Sequence, residues 1–320
     1  MSYADKVFIN MCNNILNYGT STVGEKVRPH WKDGSKAYTI KLFGVCNSYN
    51  LMLEFPVLTL RPTALKSAMD EILWIWQKKS NNIHDLNSHI WDSWADETGS
   101  IGKSYGYQLS VRHPYKDITL EGLHNAFPYG KLIDDKFMNE DLLEYQEYAV
   151  KSNDVWYMDQ VNRVIYDLKN TPFSRRIMTN MYTFSDLNEM ALYPCAYSMT
   201  FNVTEHTQSG KLILNAILNQ RSNDVLTANN WNVSQYAILL MMIAQVCDMI
   251  PGKLVHMIAD AHIYDKHIPL VQDLITRKPY PSPKVQLNPD IDDFYKFSVS
   301  DLLIENYKTH PQIKNIPVAI

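Results

Sequence analysis

The chain is poor in cysteine, in surplus charge and in long apolar runs. Its 320 residues include four cysteines, Cys12, Cys46, Cys195 and Cys247, widely spaced and with no Cys-x-x-Cys pair. That spacing excludes a disulfide scaffold and the common thiolate zinc sites, and it leads us to expect a reduced, cytoplasmic protein. Lys and Arg number 30 against 34 Asp and Glu, for a net charge of −4. No broad nucleic-acid or membrane surface is expected, so an anion site would have to be a local cluster of arginines. The longest apolar run, Tyr236 to Val246, is interrupted by Gln245 and is too short to cross a bilayer. The opening stretch, MSYADKVFIN, is mixed and polar and reads as no secretory leader. There is no internal repeat and no low-complexity tract.

Hydrophobic residues make up 46% of the chain, enough for a large core in one or two domains. Residues 1–20 read as a helix with Val7, Phe8, Met11, Ile15 and Leu16 on one face. YTIKLFG and LMLEFPVLTL read as two strands separated by the polar turn Asn47 to Asn50. Thr63 is placed to cap a helix running to about Lys78. Residues 111–155 mix aromatics with acids without a clear period and read as an insertion or small subdomain. Beyond 156 a helix precedes the alternating runs MTNMYTF, AYSMTFNV and KLILNAILNQRS. A long helix over Ser234 to Ile250 is expected to stop at Pro251-Gly252, followed by the strand KLVHMIADAHIY. Strands in series flanked by helices predict an α+β fold, one domain on a large twisted mixed or antiparallel sheet covered by helices.

Several residues have the types that chemistry needs. Cys195 follows a proline and opens an alternating run. An ordinary thiol is a poor nucleophile at neutral pH, and a guanidinium beside it would favour the thiolate. Pairing of PCAYSMTF with NAILNQRSND would bring Arg221 to it, but burial as a small apolar residue is the usual fate of a cysteine. Arg28, Arg175 and Arg176 in SRR, and Gln220, Arg221 and Ser222 in QRS, form a candidate monophosphate site, because arginine forks match phosphate oxygens in pairs. Ordinary surface arginines remain the bland alternative. In DAHIYDKH, His262 and Tyr264 share one face of a strand and could meet a sugar hydroxyl. The spacing of His256, His262 and His267 fits no zinc pattern, so no metal is expected. Glu71 falls near Leu65, Ala68 and Ile75 on its helix, which places a carboxylate beside an apolar stripe, where acid–base work is favoured. Trp91 and Trp94 offer flat surfaces to a heteroaromatic ring, or simply fill core.

Taken in order, RPHWKDGSKAYTIKLFG, FPVLTLRP, EILWIWQ, IWDSWAD with YGYQL, SRR, PC, QRSND, Asn232, DAHIYDKH and the ending HPQIKNIPVAI resemble the thymidylate synthase family. The likeness covers residues 25–110 and 157–320. It implies conversion of deoxyuridine monophosphate (dUMP) to thymidine monophosphate (dTMP) with 5,10-methylenetetrahydrofolate, in a cytoplasmic homodimer packed through its sheets. By resemblance Cys195 is the nucleophile for uracil C6, Arg221 lies beside it, and Arg28, Gln220, Arg221 and Ser222 hold the nucleotide. Arg175 and Arg176 would reach into the partner subunit's site. Asn232 would read the uracil edge, since its amide both donates and accepts. His262 and Tyr264 would hold the 3′ hydroxyl. Glu71 would relay protons through water, and Tyr105 would help remove the C5 proton. Asp224, Ile90, Trp91, Trp94 and Leu192 would meet the folate ring, Arg61 its glutamate tail, and Ala319 and Ile320 would close over it.

The chain departs from the family pattern at Ala196, where many members have His, at Ala259, where a Gly is usual, and at Ala228, Asn230 and Trp231, which replace Gly, Pro and Phe. The last three put the geometry of the loop near nucleotide and folate in question. A dUMP hydroxymethylase of the same family is the nearest alternative reading. A regulatory relative that binds nucleotide or its own messenger RNA is the alternative of another class, against which the acidic balance speaks.

Overall fold

The computed structural model describes residues 2–142 and 146–319. In chain order the elements are α1 (Tyr3–Tyr18), β1 (Thr20–Ser21), β2 (Thr39–Asn50), α2 (Leu65–Ile72), α3 (Gly106–Ser110), β3 (His113–Tyr115), α4 (Leu120–Ala126), β4 (Lys131–Ile133), β5 (Lys136–Asn139), β6 (Gln146–Ser152) and β7 (Val155–Met158). They continue with α5 (Gln160–Asn170), β8 (Met178–Asn180), β9 (Ala196–Glu205), β10 (Leu212–Gln220), β11 (Asn223–Asp224), α6 (Asn229–Val246), β12 (Ile250–Tyr264), α7 (Ile268–Leu274), β13 (Lys284–Leu287) and β14 (Leu302–Glu305). The fold is α+β, as expected. A seven-stranded sheet runs β1-β2-β12-β10-β9-β8, with β11 on β12. It is mixed, because β12 is antiparallel to β2 but parallel to β10.

Helix α6 is buried on nearly every side, from Tyr236 through Ala244, and lies at the centre of the core. An all-round apolar helix is stable only when surrounded; each Leu or Ile so enclosed contributes about 1.5–3 kcal/mol. Helix α2 packs along α6 and widens after Ile72 into a π-helical turn, Leu73–Gln77, in which Leu73, Trp74, Ile75 and Trp76 are all buried. On the sheet, Leu214, Ala216 and Leu218 of β10 and Met199, Phe201 and Val203 of β9 face this core. The other face leaves Ile217 and Met257 partly bare, with Phe43 91% exposed.

Residues 113–158 hold a separate antiparallel sheet in the order β3-β7-β6-β5-β4. Its centre is aromatic: Tyr148 stacks on Phe127 with centroids 4.2 Å apart, and Phe137 is fully buried. The Tyr148 hydroxyl donates to Asp293 at 2.8 Å, which ties this sheet to the C-terminal third.

Five local expectations are corrected. Asn47 to Asn50 form no turn; they are the end of the single long strand β2, where Tyr49 and Asn47 are buried. LMLEFPVLTL is an irregular segment rather than a strand, with its backbone held by other elements: Thr59 N–H and Oγ1 donate to the buried Asp5 carboxylate of α1 at 2.9 and 2.6 Å. Thr63 does not cap α2, whose N-cap is Ala64, and the Thr63 N–H instead donates to the Tyr307 hydroxyl. Helix α6 begins at Asn229 and ends at Val246, and Pro251-Gly252 lies inside β12. Gly252 is needed there because β10 passes so close that a Cβ would come within 2.4 Å of the Ile213 side chain. MTNMYTF is a strand only over Met178–Asn180.

Candidate active site

Cys195 immediately precedes β9 and Arg221 immediately follows β10. The antiparallel register sets Gln220 opposite Ala196, so the Arg221 N–H donates to the Cys195 carbonyl at 2.9 Å. The guanidinium folds back on the same strand end. Its Nε donates to Pro194 O at 3.1 Å and its Nη2 to Tyr193 O at 2.7 Å, leaving Nη2 3.6 Å from Cys195 Sγ. Burial pushes the Cys195 thiol up, and Arg221 and then Arg28 pull it back without cancelling the rise. Burial thus disfavours the thiolate, and the two cations are placed to favour it.

Tyr105 provides the next contact. Its Oη accepts the Cys195 N–H at 3.1 Å. Its backbone has φ +43°, and a Cβ on the following Gly106 would lie 2.1 Å from Ser80 O, so the tight turn that aims the ring requires glycine at 106. Burial, and then the adjacent Cys195, hold the Tyr105 phenol well above its ordinary value. The Trp91 ring meets Tyr105 edge-on at 5.2 Å and Trp94 at 5.6 Å.

Behind Trp91 lies Glu71, 6% exposed. Trp91 Nε1 donates to Oε1 at 2.6 Å, Gln235 Nε2 donates to Oε2 at 2.7 Å, and Trp231 Nε1 also donates to Oε2. Burial raises the Glu71 pKa, and these donors, Trp231 foremost, counteract part of the rise. A buried carboxyl shifted upward is a candidate for exchanging protons during a reaction.

Asn232 Oδ1 accepts from Gln220 Nε2 at 3.1 Å, and Gln220 Oε1 is 2.7 Å from His256 Nε2. Burial lowers His256 to about 3, so this chain of contacts ends on a neutral imidazole. Asp224 Oδ1 accepts the N–H groups of Leu226 and Thr227 at 3.0 and 3.2 Å and faces His267 Nδ1 at 3.6 Å. Burial acts to raise Asp224, but His267 and Thr227 hold it below the usual carboxylate range. On β12, His262 Nδ1 is 2.8 Å from Asp260 Oδ1, and the His262 and Tyr264 rings meet edge-on at 5.1 Å. Half-buried Ser222 sits between Arg221 and β11.

The structure thus gathers Cys195, Arg221, Tyr105, Trp91, Trp94 and Glu71 into one contact chain, and Gln220 with Asn232 into another. Other predicted residues are less engaged. Arg28, Arg175 and Arg176 are exposed, the first in the loop before β2 and the other two just before β8. Ile90 is 40% exposed, Leu192 and Ala319 are half-buried, and Ile320 lies outside the described residues. Arg61 is 8% exposed and already occupied: it donates to the Leu226 carbonyl and, at 3.2 Å, to Gln312 of the C-terminal segment, while its Nε is buried without a partner. Sequence reasoning missed Gln235, Trp231 as a partner of Glu71, and His267, whose Nε2 donates to Pro317 O at 2.7 Å and pins the C-terminal segment. The signal was available for one pair: Trp231 and Gln235 are four apart and share a helix face.

The thymidylate synthase family model matches residues 6–320. Thymidylate synthases of Bacillus subtilis subsp. natto and of Bacillus phage phi3T are each 34% identical to this chain over 312 residues, covering 96% of both partners. Among solved structures, the thermostable thymidylate synthase A from Bacillus subtilis matches with a TM-score of 0.80 at 33% identity, covering 100% of each chain. Sequence and fold agree over essentially the full length, and the chain belongs to the thymidylate synthase family, methyltransferases of dTMP synthesis.

Proposed function

We propose that the cleft carries out the reductive methylation of dUMP, with Cys195 adding to C6 of the uracil. The observation that carries this is the Cys195–Arg221 pair at 3.6 Å, with Tyr105 on the cysteine's own backbone. The C5 carbon of uracil is too weak a nucleophile to attack a carbon donor unaided. A sulfur–carbon bond at C6 shifts the ring electron pair toward O4 and makes C5 reactive, which divides one hard step into easier ones. 5,10-Methylenetetrahydrofolate supplies the carbon and the hydride.

The chain's own residues have the following roles in this reading. Arg221 favours the thiolate and, with Arg28 and Ser222, holds the phosphate. Arg175 and Arg176, exposed on this chain, complete the phosphate site of a partner copy. The half-bare sheet face that carries Ile217 and Met257 is the surface for that homodimer. Asn232, oriented by Gln220, reads the uracil edge. His262 and Tyr264 receive the 3′ hydroxyl. Glu71 moves protons to and from O4 through water, and Tyr105 acts on the C5 proton. Asp224, Ile90, Trp91, Trp94 and Leu192 line the folate ring's place. The orphaned Arg61 Nε, together with the Gln312 contact, suits a group that orders the C-terminal segment when an anionic tail arrives. Ala319 then helps exclude water, which would otherwise capture the electrophilic intermediate.

In this reading residues 1–320 form one domain, with the small aromatic sheet inserted at about 111–155, and the protein works in the cytoplasm. No helix among the described residues is long and apolar enough to cross a membrane. The test is incubation of the purified protein with dUMP and methylenetetrahydrofolate. Dihydrofolate absorbance together with a methylated nucleotide in the mass spectrum is the expected result. A hydroxymethylated nucleotide without dihydrofolate, or no product with nucleotide still bound, overturns it.

A further inference from the structure

The Glu71 carboxylate offers about four lone-pair positions, two on each oxygen. Oε2 receives two donors, Trp231 and Gln235, both projecting from α6. Oε1 receives one, Trp91. Oε2 is therefore filled and Oε1 has one position left. Trp91, the donor on Oε1, also touches Tyr105, and Tyr105 holds Cys195. The open position thus lies on the oxygen whose partner leads to the sulfur.

From this arrangement we propose that Trp231 is a positioning residue that, with Gln235, saturates Oε2, favours the carboxylate form of Glu71 and directs proton exchange through Oε1 alone. The inference rests on the acid–base reading of Glu71 given above. A neutral carboxyl would have to place its own proton on an oxygen, and on Oε2 that proton would collide with two N–H groups. Three N–H donors converging on a buried carboxyl favour the anion and offset part of what burial costs it, and they leave a proton only the open position on Oε1. The titratable groups that sense Glu71 are Asp70 on its own helix, Tyr105 from the turn before α3 and Tyr236 from α6. Asp70 opposes the anion, and the two phenols are neutral at working pH, since burial raises both. The N–H donors Trp231, Trp91 and Gln235 do the stabilising, and loss of either Oε2 donor, Trp231 or Gln235, leaves that oxygen half satisfied.

Trp231→Phe keeps an aromatic body and removes only the donor. It should move the acid limb of the kcat/KM profile to higher pH by about one unit, since one charge-assisted hydrogen bond is worth roughly that much in pKa. At a pH on that limb this reads as a roughly tenfold loss, which recovers on raising the pH. Gln235→Met, which removes the other Oε2 donor, should shift the limb in the same direction. In parallel, infrared difference spectra of each variant against its Glu71→Gln derivative report the protonated carboxyl directly, without turnover. The protonated band should persist to higher pH in Trp231→Phe than in the parent. A limb and a band that both stay in place overturn the proposal, and an altered melting temperature alone would make Trp231 a packing residue only. If the band moves but the limb does not, the positioning by Trp231 stands and it is the acid–base role of Glu71 that fails.

Discussion

Glu71 in the helical layer and Asp224 at the edge of the sheet are both carboxylates largely removed from water, and burial alone would raise the pKa of each. Their surroundings differ. Glu71 meets only neutral N–H donors, from Trp91, Trp231 and Gln235, and remains above the ordinary carboxylate range. Asp224 meets two backbone N–H groups and an imidazole that can carry charge, His267, and falls below it. Neutral dipoles moderate the cost of enclosing an anion, whereas a cation reverses it. The helical layer therefore holds a group suited to exchanging protons, and the sheet edge holds one that stays ionised. The two also have opposite linkage to stability. Asp224 contributes stability that is present above its unfolded pKa and is lost as pH falls through the lowered value. For His267, raised by Asp224 against the effect of burial, the contribution is present below the unfolded pKa and lost as pH rises through the raised one. The pair is thus most stabilising in mildly acidic to neutral solution. Glu71, raised, is least costly when protonated.

In the proposed reaction Cys195 forms the covalent bond to the substrate, so its removal should have the largest effect. Cys195→Ala should reduce turnover by about 10⁴-fold or more while dUMP still binds; activity within tenfold of the parent would remove the covalent step. Next, Glu71→Gln should cost about 10²- to 10⁴-fold in kcat, the usual contribution of a general acid or base, and should abolish the acid limb of the pH profile. Persistence of that limb would assign it to another group. Asp224→Asn keeps the side-chain acceptor but not the charge. It should lower the His267 pKa by about one unit in an NMR titration, with a milder loss of activity, about tenfold, and should leave the Glu71 limb in place. Movement of both would show that the two regions are coupled rather than independent. The smallest effect belongs to the aromatic sheet away from the cleft. Tyr148→Phe, which removes the 2.8 Å bond to Asp293, should cost about 1 kcal/mol in a denaturant titration and leave kcat within about twofold.

What could be read before folding follows from how local each cause is. The amphipathic face of α1, the strands β9, β10 and most of β12, and the ordered motif series from Arg28 to the C-terminal segment all depend on residues close in sequence. The end of α6 was misread because Pro251-Gly252 looks like a terminator, whereas Gly252 serves a close approach between β12 and β10. The polar stretch Asn47 to Asn50 looks like a turn but belongs to a strand, because α1 and the core cover its Asn47 and Tyr49 side chains. At the site, the residue types were legible and most partners were not. Arg221 beside Cys195 followed from strand pairing. The occupancy of Arg61 by Leu226 and Gln312, and the contact of His267 with Pro317, link residues far apart in sequence and left no local trace.

The sequence by itself determined the class of the fold and the family, because these lie in composition, periodicity and the order of motifs. Only the tertiary structure decided how the buried charges behave. A pKa depends on desolvation and on which dipoles and charges converge on a group, and the three donors that hold Glu71 come from two segments, α6 and the turn at Trp91, that meet it only when the helical layer closes.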